Sequence, residues 1–158
     1  MASVSTTMPT IFFIHGAWHS PKHFQPIRDL FESEGYPTEC PCQPTFDAKP
    51  PTSLVDDVKV MRSELNELIE EQGKDVIVVM HSYGGIVGTE AVQELLGKKA
   101  RESKGLPGGV LRLLYMCAFV PPLGESLAST LGGELPPFIK LQVRQLFVPS
   151  PILPSPNR

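Results

Sequence analysis

Apolar and polar positions follow two rhythms along the chain. Thr10–Ile14 (TIFFI) is a short, almost wholly apolar run, as expected of a strand covered on both faces. After the loop His15–His19, residues Phe24, Ile27 and Phe31 recur at helical spacing. Ser20 fits the N-cap, Pro21 the first helical position and Gly35 the stop. Tyr36–Cys40 is a candidate second strand, and Gln43–Pro51 a proline-rich connection. Leu54, Val58, Met61, Leu65 and Leu68 form the stripe of a longer helix, capped by Thr52 or Ser53 and ended by Gly73. Asp56 and Asp57 fall in its first turn, where the helix dipole favours negative charge.

Asp75–Met80 (DVIVVM) is the clearest strand. Gly84–Leu96 reads as the next helix, closed by Gly97, and Lys98–Gly105 as a charged surface loop. Val110–Phe119 (VLRLLYMCAF) is a further strand. Apolar strands alternating with helices predict the α/β class: a parallel sheet of about four strands flanked by helices. Beyond Val120 the periodicity fades, apart from a short helical turn near Glu125–Leu131. Residues 121–158 hold eight of the seventeen prolines. The expected organisation is one structured portion, 1–142, followed by a disordered proline-rich tail, 143–158.

Composition narrows the functional classes. The chain has 158 residues, enough for one domain, with 41% hydrophobic and 20% charged residues, against wholesale disorder. A net charge of −3 gives no electrostatic basis for nucleic acid or an anionic membrane as partner. Cys40, Cys42 and Cys117 are odd in number, and the single residue between Cys40 and Cys42 is a poor spacing for a bridge, so no disulfide framework is expected. No second Cys/His pair follows at ligand spacing, so neither a metal nor another cofactor is expected. Met1–Pro9 lacks the basic and apolar regions of a secretory signal, and no apolar run reaches the ~18 residues that span a bilayer. The expected location is cytoplasmic.

The chemistry concentrates where the Asp75 strand ends, at His81-Ser82-Tyr83-Gly84-Gly85. A buried strand, a serine in a tight turn, glycines and a new helix make up a nucleophile elbow. A strained turn lifts the serine Oγ clear of the sheet. The helix N-terminus and the Tyr83 N–H then face the oxygen that becomes negative in acyl transfer. Gly84 occupies the second glycine position of G-x-S-x-G, whereas Met80 stands at the first and is expected to point away from the crossing helix. A second motif, His15-Gly16-Ala17-Trp18, follows the first strand, where a backbone N–H can serve as the other oxyanion donor. The run Gly84-Gly85-Ile86-Val87-Gly88 lacks the G-x-G-x-x-G spacing of a dinucleotide site.

With both motifs in this order, residues 8–128 resemble the α/β-hydrolase superfamily, specifically its small esterase-like members. The resemblance implies Ser82 as nucleophile and Ala17 and Tyr83 as backbone oxyanion donors. It implies His15, Gly16, Trp18 and His81 around a pocket for a small hydrophobic ester. It also implies a sheet with the Tyr36 strand outside the Thr10 strand, the Asp75 strand on the other side and the Val110 strand last.

The family order of triad residues is Ser, then Asp or Glu, then His. Here the histidines are His15, His19, His23 and His81, and no aspartate follows Asp75. The chain therefore reads as an incomplete α/β-hydrolase fold, shortened after the strand that follows the elbow helix, and as weakly active or inactive. The alternative is a non-catalytic scaffold that binds a small ligand or partner. The Val110–Phe119 strand, apolar with Arg112 as its one charge, would then be a sheet edge open to self-association.

Overall fold

The computed structural model describes residues 8–93, 95 and 97–133. The chain divides into two compact units, Met1–Leu123 and Gly124–Arg158. The first holds a four-stranded parallel sheet of β1 (Thr10–Ile14), β2 (Thr38–Glu39), β3 (Asp75–His81) and β4 (Gly109–Met116), in the order β2-β1-β3-β4. This is the expected class and order. Ile11 pairs with Thr38, Thr10–Ile14 run beside Val76–Met80, and β4 follows β3 with a bulge at Leu111. In the second unit, the described part contains one short helix, α5 (Leu127–Thr130), where the Ser126 hydroxyl accepts from the Ser129 N–H at 3.1 Å. The anticipated 143–158 tail and the 142/143 boundary lie outside the described residues.

The continuous apolar strands are explained by cover on both faces. Phe12, Ile14, Val76, Val78 and Met80 pack with Met61 and Leu65 of α2 (Leu54–Asn66) and with Val87 and Ala91 of α3 (Gly84–Val92). Ile11, Phe13 and Val79 face the other way, against Phe24 of α1 (Pro21–Ser33) and Cys40. Successive side chains of a strand point to opposite faces, so each face of β1 supplies half of one core.

Several elements differ from the sequence reading. The long helix leaves α geometry after Asn66 and closes in a π-helical turn, Glu67–Glu71, in which Leu68 and Ile69 are both buried. Gly73, at φ 64°, then ends it as expected. The second strand contracts from Tyr36–Cys40 to two residues. The last strand stops at Met116, because Cys117 takes φ 43°, outside the extended region. The elbow helix keeps its start but ends at Val92 rather than Leu96.

The expected charged loop Lys98–Gly105 instead contains α4 (Lys98–Glu102) and a buried arginine. Arg101 is 2% exposed. It donates to the Pro107 carbonyl at 2.9 Å, to the Gly108 carbonyl at 3.2 Å and to both Glu70 carboxylate oxygens. A guanidinium with a bond on each nitrogen can be buried, and here it ties the π-helical turn to the entrance of β4. Among the described residues, β4 forms an outer edge of the sheet, with Leu114, Tyr115 and Met116 exposed. Among the described residues, no helix is long and apolar enough to cross a membrane.

Candidate active site

Ser82 follows β3 directly and takes φ 53°. That left-handed conformation is uncommon for a residue with a side chain, and it turns the chain sharply from strand into α3. Around it the backbone is locked: the Phe119 N–H donates to the Ser82 carbonyl at 3.0 Å, and the Gly85 N–H to the same oxygen at 3.0 Å. The turn closes tightly because α3 begins with glycines. A Cβ on Gly84 would lie 2.8 Å from the His15 carbonyl oxygen, and one on Gly85 would lie 2.9 Å from Ala118 Cβ.

Met80 departs from expectation. Its side chain does not avoid the crossing helix; it fills the space under Gly88, where a Cβ would come 2.7 Å from Met80 Cγ. The small residue needed for close strand–helix approach is supplied by the helix rather than the strand. No local sequence rule couples position 80 to position 88.

The loop after β1 closes on the elbow. A Cβ on Gly16 would lie 3.0 Å from both Ser82 Cβ and His81 Nδ1. The two segments picked out by motif are therefore in contact, with Ala17 next in the chain from Gly16 and Tyr83 next from Ser82. Among the described residues, neither the Ala17 nor the Tyr83 N–H has a hydrogen-bond partner.

His15 holds this loop from beneath. It is buried, donates from Nδ1 to the Gly16 carbonyl at 3.0 Å and accepts at Nε2 from the Gln43 N–H at 3.1 Å. The Gln43 side chain donates back to the His15 carbonyl. Both ring nitrogens are used in the neutral tautomer, and burial lowers the His15 pKa below the usual 6.5. His15 thus supports the loop and leaves no nitrogen free for Ser82.

The other histidines stack beside the elbow. His19 meets His81 and His23 edge-on, each pair with ring centroids 5.2 Å apart. His23 caps α1 by accepting at Nδ1 from the Ser20 N–H at 3.0 Å. His81 is half-buried, with its pKa lowered by burial and then by His19, and its Nδ1 has no partner. Among the described residues, no imidazole is hydrogen-bonded to the Ser82 hydroxyl, and no group of three His, Cys, Asp or Glu side chains is placed to hold a metal ion.

Sequence reasoning missed a buried acid. Asp57 is fully buried, and it accepts from the Thr45 N–H at 2.8 Å, the Thr45 hydroxyl at 2.7 Å and the Tyr83 hydroxyl at 2.9 Å. Burial and this carboxylate push the Tyr83 phenol well above its ordinary pKa, so it stays a donor. Asp56 alone plays the expected helix-start role, accepting from the Ser53 N–H at 2.9 Å. The separation of Asp57 from Thr45 and Tyr83 in sequence left no local signal. A cavity of about 450 Å³ opens between the tied segments, lined by Ala17, Trp18, His19, Gln43, Thr45, Phe46, Asp47 and Tyr83. Ala17, Trp18 and Tyr83 were expected at the site; Phe46 and Asp47 were not.

Comparison with known proteins identifies the family. The profile of the Alpha/beta hydrolase family matches residues 11–156. The chain is 36% identical over 132 residues to the alpha/beta hydrolase nvfD of Aspergillus novofumigatus (strain IBT 16806), covering 81% of this chain and 50% of that protein. It is 30% identical over 139 residues to the carbendazim hydrolyzing esterase of Nocardioides sp. (strain SG-4G), covering 85% and 52%. Among solved structures, an extracellular alpha/beta-hydrolase from a Paenibacillus species superposes with a TM-score of 0.59 at 22% identity, over 77% of this chain and 45% of that one. The chain spans about half the length of the curated relatives it matches. By motif order, sheet order and family profile, the chain belongs to the alpha/beta hydrolase family.

Proposed function

We propose that this site belongs to a serine hydrolase acting on a carboxylic ester or similar acyl substrate, with Ser82 as nucleophile. The observation that supports this best is the left-handed Ser82 at the β3–α3 junction with Gly16 packed against it. In the reaction, Ser82 Oγ adds to the acyl carbon while its proton passes to water, the alcohol leaves with a proton from water, and a second water molecule releases the acid from Ser82. The carbonyl oxygen becomes negative and is received by the Ala17 and Tyr83 N–H groups. Fixed amides at such a position contribute about 10²–10³-fold per donor. The esterase named among the relatives favours the same reading.

The proton is the weak point. A serine hydroxyl is a poor nucleophile without a base, and no histidine follows His81 in this chain. We infer that the chain by itself is weakly active or inactive, retaining at most the about 10³–10⁴-fold rate that binding and an oxyanion hole give without a triad. A second reading, a non-catalytic scaffold that binds a small ligand, is favoured by the lack of any imidazole bonded to the Ser82 hydroxyl among the described residues. A fluorophosphonate probe separates the two. Labelling of the folded chain that disappears in Ser82→Ala supports the hydrolase; a folded chain that takes no label supports the scaffold. Label that persists in Ser82→Ala removes Ser82 from the chemistry.

A further inference from the structure

The cavity beside the elbow has a chemical character of its own. Three aromatic side chains, Trp18, Phe46 and Tyr83, line it, with one exposed carboxylate, Asp47. Among the described residues, no lysine or arginine is in its lining. Asp57, buried behind Thr45 and Tyr83, adds a second negative charge. Among the described residues, Asp47 has no ion-pair or hydrogen-bond partner.

Two of these residues are held at a cost. Trp18 sits at φ 59° while 72% exposed, and Asp47 sits at φ 57°. Left-handed backbone is uncommon for a bulky side chain and persists where the surroundings over-determine it, often at ligand clamps. The Trp18 segment is pinned by the His19 N–H on the Gly16 carbonyl (3.2 Å) and by His19 Nδ1 on the Ala17 carbonyl (2.9 Å). The Asp47 segment is pinned through Thr45 on Asp57 and through Gln43 on His15. Both side chains are thus presented to the cavity by hydrogen-bonded loops.

We propose that this cavity is a subsite for a planar aromatic cation. The aromatic side chains offer π faces, and Asp47 offers the counter-charge. A cation over an aromatic ring and beside an unpaired carboxylate is favoured on both counts. As a statement about substrate, this rests on the hydrolase reading; as a statement about binding, it does not involve Ser82.

Trp18 is the sole tryptophan, so its fluorescence reports the cavity directly. The full chain is titrated at pH 8 with benzamidine, benzyl alcohol and benzoate. Benzamidinium quenches saturably and binds about fivefold tighter than benzyl alcohol, the scale of one exposed cation–π or ion-pair contact. Benzoate binds more weakly than benzamidinium. Asp47→Asn at least halves the fivefold preference; asparagine tolerates left-handed backbone, so this variant keeps the loop. Phe46→Ala weakens benzamidinium and benzyl alcohol together. Benzoate binding as well as benzamidinium, an Asp47→Asn chain with the preference intact, or no saturable quenching by benzamidinium overturns the proposal. Fluorophosphonate labelling is scored separately, so failure of the subsite and failure of the nucleophile are distinguishable.

Discussion

The two ends of the sheet solve the same backbone problem differently. Where the chain enters β2, β3 and β4, left-handed turns are made by glycine, at Gly35, Gly73, Gly108 and Gly109. Where it leaves the strands, they are made by residues with side chains: Trp18 after β1, Asp47 after β2, Ser82 after β3 and Cys117 after β4. Glycines are plentiful at the exit end too. Gly16, Gly84 and Gly85 are used there for close approach, not for left-handed backbone. The entry end takes the cheap solution. The exit end accepts strain in order to place specific side chains, and the candidate nucleophile and the cavity lie there.

Substitution at the two ends should therefore have opposite signs. Gly108→Ala should be the most damaging: its Cβ would sit at φ 68° and 2.6 Å from the Lys74 carbonyl oxygen. A cost of about 3 kcal/mol is expected from left-handed strain plus overpacking. Asp57→Asn should cost about 2 kcal/mol, because the amide cannot accept all three bonds the carboxylate accepts. Ser82→Gly should instead stabilise the chain by about 1 kcal/mol, by releasing strain that exceeds the added chain entropy of glycine. Chemical denaturation of the three variants checks the order. If Ser82→Gly destabilises as much as Gly108→Ala, the contrast between the two ends is wrong.

The smallest effect is in pH. His15 is neutral in the fold, with its pKa below 6.5. The unfolded chain therefore binds more protons in the window below 6.5, and folding stability declines as pH falls from 6.5 toward the lowered folded value. Above 6.5 this contribution is flat. His81, lowered in the same direction, adds to the same slope. A stability profile from pH 8 to pH 5 should be flat and then decline, and His15→Gln should make the decline shallower.

The same contrast explains what was legible in the sequence. The strands, the starts of the longer helices and the elbow announce themselves through local pattern, because each is set by neighbours in the chain, whereas the sheet order followed from the family resemblance. What escaped depends on tertiary partners. Lys98–Glu102 has no apolar stripe, and its helix is anchored by Arg101 reaching Glu70 in another element. Asp57 looked like a helix-dipole residue, and only Thr45 and Tyr83 make it a buried acceptor. Met80 looked like a broken motif, and Gly88 restores the fit from the opposite side of the contact. The Ser82 position was readable, but the matching strain at Trp18 and Asp47 was not, because no glycine marks it.

The central claim is that Ser82 Oγ stands beside two converging amides. A crystal structure of the chain soaked with phenylboronic acid tests this most directly. The account predicts boron bonded to Ser82 Oγ and one boronate oxygen within hydrogen-bond distance of the Ala17 and Tyr83 N–H groups. A boronate bonded to Ser82 whose oxygens all point away from both amides would contradict it.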